Sequence, residues 1–247
     1  MCQAVRTATT LVLPTMPLPT TFAHLQTPPP PSQDVYEAID DDDDDDQEDQ
    51  AAWTPLMVAA VTGNLIAVDA LLQDPFVDIN DADEHGNTAI FLACGARQEV
   101  IVLRLLDDPR LDLDHMNHEL ATVFHIACLH GLLAAVMRLA MHPHIFINQG
   151  NCVGNTGFII AAAHNHTPVV AYLLDHNSLD TNQGDDNGLT GFMAAAARGH
   201  VDVVRLMQHH AGVDANARDH RQLTALDMAR ANGHTAVVQL LLGQSPP

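Results

Sequence analysis

The chain has 247 residues, 47% hydrophobic and only 4% aromatic, with a formal net charge of -21. All ten basic residues are Arg, so no Lys is present for a Schiff base or a Walker-type phosphate contact. A strongly acidic chain without a basic cluster argues against binding nucleic-acid phosphates or anionic membrane, and favours a protein partner with a basic surface.

Residues 1–50 read as a disordered tail. Eleven acids stand there against Arg6 alone, Pro28 to Pro31 are consecutive, and seven Asp run from Asp40 to Asp46. Such a segment buries too little apolar surface to offset the entropy of ordering, and the Asp run repels itself. Between these features, Ser32 to Ile39 has the pattern of two helical turns with Ser32 as N-cap. The apolar stretch Leu11 to Leu13 is cut by Pro14, Pro17 and Pro19, so no secretory or membrane segment is expected there. Cys2, Cys94, Cys128 and Cys152 form no Cys-x-x-Cys pair, which suits free thiols in the cytoplasm or nucleus.

From residue 51 onward, a period of 34 residues organises the chain. Thr recurs at 54, 88, 122, 156, 190 and 224; Ala follows each Thr by five residues and Val follows each by fourteen, without exception. The chain therefore reads as six copies of one unit, at about 51–83, 84–117, 118–151, 152–185, 186–219 and 220–243. In each copy Thr is placed to cap a first short helix, and Ala at the fifth position lets neighbouring helices approach. Gly63, Gly131, Gly199 and Gly233 end that helix in a left-handed turn, with Arg97 and Asn165 standing at the same point of their copies. A second helix carries an apolar stripe such as Val169, Val170, Leu173 and Leu174. An Asp/Asn-x-x-Gly turn such as Asp83 to Gly86 then forms a hairpin finger leading to the next copy. Helices of two or three turns are marginal alone and must gain stability by stacking, so the expected architecture is an all-α solenoid with β-hairpin fingers.

Gly86-Asn87-Thr88-Ala89-Ile90-Phe91-Leu92-Ala93 and Gly188 to His200 resemble ankyrin repeats, and Thr54-Pro55-Leu56-Met57 is similar to that family's Thr-Pro-Leu-His start. The resemblance implies that His166, His200 and His234, ten residues after the repeat Thr, tie neighbouring copies together by hydrogen bonds. The third copy departs most, with Leu120 in a Gly position and Phe146-Ile147-Asn148 in place of Asp-x-Asn, and is expected to be locally the softest. Gly157 and Gly191 at the second position are expected to lower helix propensity.

No Walker, Gly-x-Gly-x-x-Gly or zincin pattern occurs, and no nucleophile, base and oxyanion site come together, so neither catalysis, cofactor nor functional metal is expected. Carrying the family's variable positions onto this register gives a partner-binding face of Trp53, His85, Asn87, His118, Glu119, His130, Val153, Asn155, His164, Asn187, Leu189, Arg198, Arg221 and Leu223. Trp53 either anchors a partner or covers the end of the stack. The five His at 85, 118, 130, 164 and 220 suggest that binding changes as they charge between pH 7 and 5.5. The expected function is a monomeric, non-catalytic scaffold or adaptor. A narrower reading is an inhibitor that masks a basic segment of its partner; a host-directed viral or effector adaptor, avoiding ubiquitination for want of Lys, also fits.

Overall fold

The computed structural model describes residues 53–243. The readings made for the Pro-rich stretch, the Asp run and the Ser32 to Ile39 segment fall outside the described residues.

Twelve helices follow in six pairs among the described residues: α1 (Pro55–Thr62) and α2 (Leu65–Leu72), α3 (Ala89–Gly95) and α4 (Glu99–Leu105), α5 (Val123–His130) and α6 (Leu133–Ala140), α7 (Gly157–Ala163) and α8 (Thr167–Leu174), α9 (Gly191–Ala197) and α10 (Val201–Gln208), α11 (Ala225–Ala231) and α12 (Thr235–Leu241). Each odd-numbered helix packs on the next odd-numbered one, each even-numbered on the next even-numbered, and the two within a pair on one another. The result is a two-layered stack.

The repeated Thr stands in extended backbone at the N-cap of every inner, odd-numbered helix. Its hydroxyl accepts a backbone N–H at Thr54, Thr156, Thr190 and Thr224, at 3.3 to 3.4 Å. At Thr122 a different device operates: its N–H donates to Nδ1 of His125, 3.1 Å away. The Ala column is buried in all six pairs, and Val68, Val102, Val136, Val170 and Val204 are fully buried, whereas Val238, at the end of the stack, is not.

Inner helices end as their spacing predicts, and the non-Gly residues conform too. Arg97 (φ 57°) and Asn165 (φ 61°) adopt the same left-handed backbone as Gly63 (φ 72°) and Gly131 (φ 69°). The stacking geometry imposes that conformation, since an L-residue other than Gly takes it at a cost of about 1 kcal/mol. Gly157 has a reason beyond propensity: a Cβ there would come within 2.6 Å of a Phe124 ring carbon and 3.0 Å of Cys128 Sγ. Its helix-propensity cost is offset by the close approach of α7 to α5.

The fingers are looser than full hairpins. Only isolated antiparallel bridges form among the described residues, Ala82 with Thr88, Gly150 with Thr156 and Gly184 with Thr190. Each turn is held from within by an Asp or Asn carbonyl or carboxylate oxygen. Asp83 Oδ1 accepts the N–H of His85 and Asn87, and Asn117, Asn151, Asp185 and Asp219 do the same for residues two and four further on. Neighbouring fingers are joined by one backbone bond each: His118 N–H to His85 O (3.0 Å), Cys152 to Glu119 (2.9 Å), Asp186 to Val153 (3.2 Å) and His220 to Asn187 (2.9 Å).

Candidate protein-binding face

The finger bonds place His85, His118, Glu119, Val153 and Asn187 along one edge of the stack, with Arg221 next to His220, the last residue so bonded. His85, His118, Asn187 and Arg221 are exposed, while Glu119 and Val153 are half-buried. Trp53 is half-buried against the core at the first pair, and Leu189 and Leu223 are half-buried in the finger stems. Burial removes two predicted side chains from this edge. Asn87 is 1% exposed, its Oδ1 accepting from Asn117 Nδ2 at 3.0 Å, and Asn155 is buried with its backbone bonded to Asn151. Both support the fingers from inside.

Burial pushes the Glu119 carboxyl above its usual range, with the nearby His85 pulling the other way. Arg221 pairs with the almost fully buried Asp219 carboxylate at 3.2 Å. Glu84, beside His85 at 3.7 Å, together with exposed Asp81 and Asp186, makes the finger edge acidic.

A second row, the floor, lies at the C-terminal ends of the inner helices. Eight residues after each repeat Thr stand Thr62, Ala96, His130, His164, Arg198 and Asn232. Arg198 donates to Ala163 O (2.8 Å) and Asn232 to Ala197 O (2.7 Å), each reaching back one pair. Two residues further along, His166, His200 and His234 donate through Nε2 to Leu129 O, Ala163 O and Ala197 O at 2.8 to 2.9 Å. These are the inter-copy bonds that the resemblance implied.

His130 and His164 behave otherwise. Burial, then Arg97 and His166, hold His130 down at about 4. Partial desolvation, then Arg198 and three neighbouring His, pull His164 the same way, to about 4, although that residue remains exposed. In the free chain His130 therefore stays neutral from pH 7 to 5.5, against the expectation that all five face His charge in that interval.

Sequence reasoning passed over His125. It is 1% exposed; Nδ1 accepts from Thr122 N–H, so Nε2 carries the proton and donates to Gln149 O at 2.9 Å. Its position was a signal, because Thr122-Val123-Phe124-His125 ends on the His of the Thr-Pro-Leu-His pattern. Cys94 and Cys128 are buried, with burial pushing both thiols far up, and so are unreactive. Among the described residues no three His, Cys, Asp or Glu converge on a metal position. No helix among them is long and apolar enough to cross a membrane. Behind the fingers of the second and third pairs lies a mostly apolar cavity of about 490 Å³ lined by Leu113, Met116, Pro143, Ile145 and Phe146, away from the concave floor.

Comparison with known proteins agrees with this architecture. The family model described as ankyrin repeats (3 copies) matches residues 33–117, 124–219 and 176–246. No curated protein matches the chain. Among solved structures, the ankyrin repeat protein EF0377 is 25% identical, with a TM-score of 0.68, over 77% of this chain and 98% of its own. An ankyrin repeat domain from Acinetobacter baumannii AYE is also 25% identical, with a TM-score of 0.64 and the same coverage of both chains. The ankyrin repeat domain of Bcl-3, a member of the IkappaB protein family, shares the fold at 23% identity and a TM-score of 0.66, over 78% of this chain and 87% of its own. With the family model matched across most of its length and six stacked helix pairs each opening on the repeated Thr, the chain belongs to the ankyrin repeat family.

Proposed function

We propose that the chain is a non-catalytic scaffold or adaptor, acting as a monomer inside the cell, that holds a protein partner on its concave side. The observation that carries this reading is the division between columns. Ala and Val are buried alike in successive copies, while the finger edge and groove floor present different exposed side chains in each. A uniform frame with a varied face suits recognition of one extended partner surface. Trp53 in the first copy and Leu189 in the fifth offer half-buried apolar anchors, and His118, Asn187 and Arg198 supply polar groups in the third and fifth copies.

The test is affinity capture by the full chain, comparing the wild type with a His118→Ala, Asn187→Ala double variant and with Ile66→Ala. Ile66 is 84% exposed on α2, in the other helix layer. Loss of the captured partner in the double variant but not in Ile66→Ala is the expected result. Equal loss in both would remove the concave face from the reading.

A narrower function, masking of a basic segment, is favoured by the exposed acids Asp81, Glu84, Asp180, Asp186 and Asp214 together with the Asp40 to Asp46 run. It requires binding that weakens steeply with salt and falls when residues 40–46 are replaced by Ser.

A further inference from the structure

The groove floor differs in charge from the finger edge. Five Arg pair with Asp at ion-pair distance: Arg104 with Asp69, Arg110 with Asp108, Arg138 with Asp107, Arg205 with Asp202 and Arg221 with Asp219. Arg198 in the floor row and Arg97, one residue beyond that row's Ala96, pair with no carboxylate among the described residues. Between them in consecutive copies sit His130 and His164. The titratable and charged groups acting on His130 are Arg97 on its own side and His166 from the next copy; those acting on His164 are Arg198, His166, His130 and His200. All are basic.

Position eight of each copy normally finds a protein partner or needs none: Arg198 and Asn232 bond back to a carbonyl, and Ala96 has no polar group. Of the two His in this column, His164 is exposed, whereas His130 is set apart by an Nε2 that is buried without a hydrogen-bond partner. Turning that ring out toward a ligand therefore forfeits no hydrogen bond and relieves a buried unsatisfied nitrogen.

We propose that Arg97, His130, His164 and Arg198 form an anion-binding strip that receives a partner segment carrying carboxylates at every third residue in polyproline II conformation. The spacing comes from the fold. Successive copies stand about 10 Å apart, a helix diameter, and polyproline II brings every third side chain to the same side with a rise of about 9 Å. A fully extended strand alternates faces and would bring only every second residue round, out of step with the copies. Carboxylates at that interval meet Arg, His, His and Arg in turn, each through a charge-assisted hydrogen bond. A carboxylate beside either His favours its protonated form, so binding takes up protons and tightens as pH falls. The acidic finger edge is no obstacle to this arrangement, because it faces the partner's flanks while the strip lies on the floor.

The inference deepens the proposed concave-face reading and rests on it. The probe is a fluorescein-labelled peptide of four Glu-Pro-Pro units, titrated by anisotropy with the full chain at pH 7.5 and 5.8 at equal ionic strength. Binding roughly tenfold tighter at the lower pH is expected, corresponding to an average uptake of about 0.6 proton across that interval. His130→Ala with His164→Ala removes that pH response; Ala96 already occupies this column, so the fold accommodates the change. Arg97→Ala with Arg198→Ala weakens the probe at both pH values. The strip is overturned if a Lys-Pro-Pro peptide binds equally well, if a peptide with its four Glu contiguous does, or if the pH response survives in the double His variant. Binding seen only after residues 40–46 are changed to Ser would assign the strip to the chain's own acidic run, and would overturn a partner in trans. A failed probe with a selective loss in the capture experiment removes the strip alone; failure of both removes the concave face.

Discussion

The joints between later copies and the joint between the second and third copies are tied in two different ways. From the fourth copy onward the same bond recurs, a His Nε2–H from each copy to a carbonyl of the copy before. At the second joint Leu132 occupies that column and cannot donate. There Glu99 reaches forward instead, its Oε1 accepting the N–H of Ala134 (2.8 Å) and Ala135 (3.3 Å) at the start of α6. The same joint region holds a buried His inside α5 in place of an apolar side chain. The ladder thus serves a carbonyl of the preceding copy, whereas the Glu99 carboxylate serves N–H groups of the following one, so the copies are tied through different backbone groups at different joints.

The sharpest way to break this comparison is at His125. His125→Leu leaves Thr122 N–H and Gln149 O unsatisfied in the interior, and should lower unfolding free energy by about 3 kcal/mol. His200→Ala, at a partly exposed ladder position, forfeits one bond and should cost about 1 kcal/mol. Urea unfolding of both variants tests the ordering; equal losses would mean that the buried His is no more than another rung.

The same residue sets a pH dependence. Burial lowers His125 to about 4 from an ordinary 6.5, so the unfolded chain binds more protons throughout that interval. Its contribution to stability is complete above pH 6.5 and is lost progressively as pH falls toward 4. At pH 5 the loss from this group is about 2 kcal/mol. His130, His164 and His200, also lowered, act in the same direction. Unfolding measured from pH 7.5 to 5 should fall steeply in the wild type and less steeply in His125→Leu; parallel profiles would refute the assignment.

Glu99 offers a smaller break. Glu99→Ala leaves the first turn of α6, which has no side-chain cap of its own, without its acceptor, and should cost about 1 kcal/mol. Amide exchange should speed up first at Ala134 and Ala135. An unchanged exchange rate there would show that water replaces the carboxylate at no cost.

The regular columns made much of this legible beforehand. Thr, Ala and Val at fixed intervals announce the caps, the close helix contacts and the buried stripe, and the Asp/Asn-x-x-Gly turns announce the fingers. What could not be read is where one copy borrows from another. Glu99 looks like an ordinary first-turn acid until α6 is seen beside it, and Asn87 looks like a finger-tip residue until Asn117 accounts for its oxygen. His130 shares a column with Ala96 and Arg198, so nothing in the sequence distinguishes it as a half-buried ring with an unpartnered Nε2. These are properties of pairs of copies, whereas a periodic pattern describes one copy at a time.

The smallest expected effect lies at Leu120, in the third copy. It stands in the finger position filled by Gly86, Gly154 and Gly188, and takes the same left-handed backbone at φ 54° while its side chain is 51% exposed. An exposed Leu contributes little burial to offset a conformation disfavoured by about 1 kcal/mol for an L-residue. Leu120→Gly removes that penalty but adds freedom to the unfolded chain, so the net gain should be about 0.5 kcal/mol. Gln222, at the same finger position and φ 66°, supplies the control: it is exposed too, but its carbonyl accepts from Arg218 at 2.7 Å, holding the turn by other means. Thermal unfolding of both Gly variants should show the third finger gaining and the last gaining no more than it. A loss at Leu120→Gly would mean that this side chain packs on a neighbour tightly enough to outweigh the strain, and that the departure from Gly in the third copy is itself stabilising.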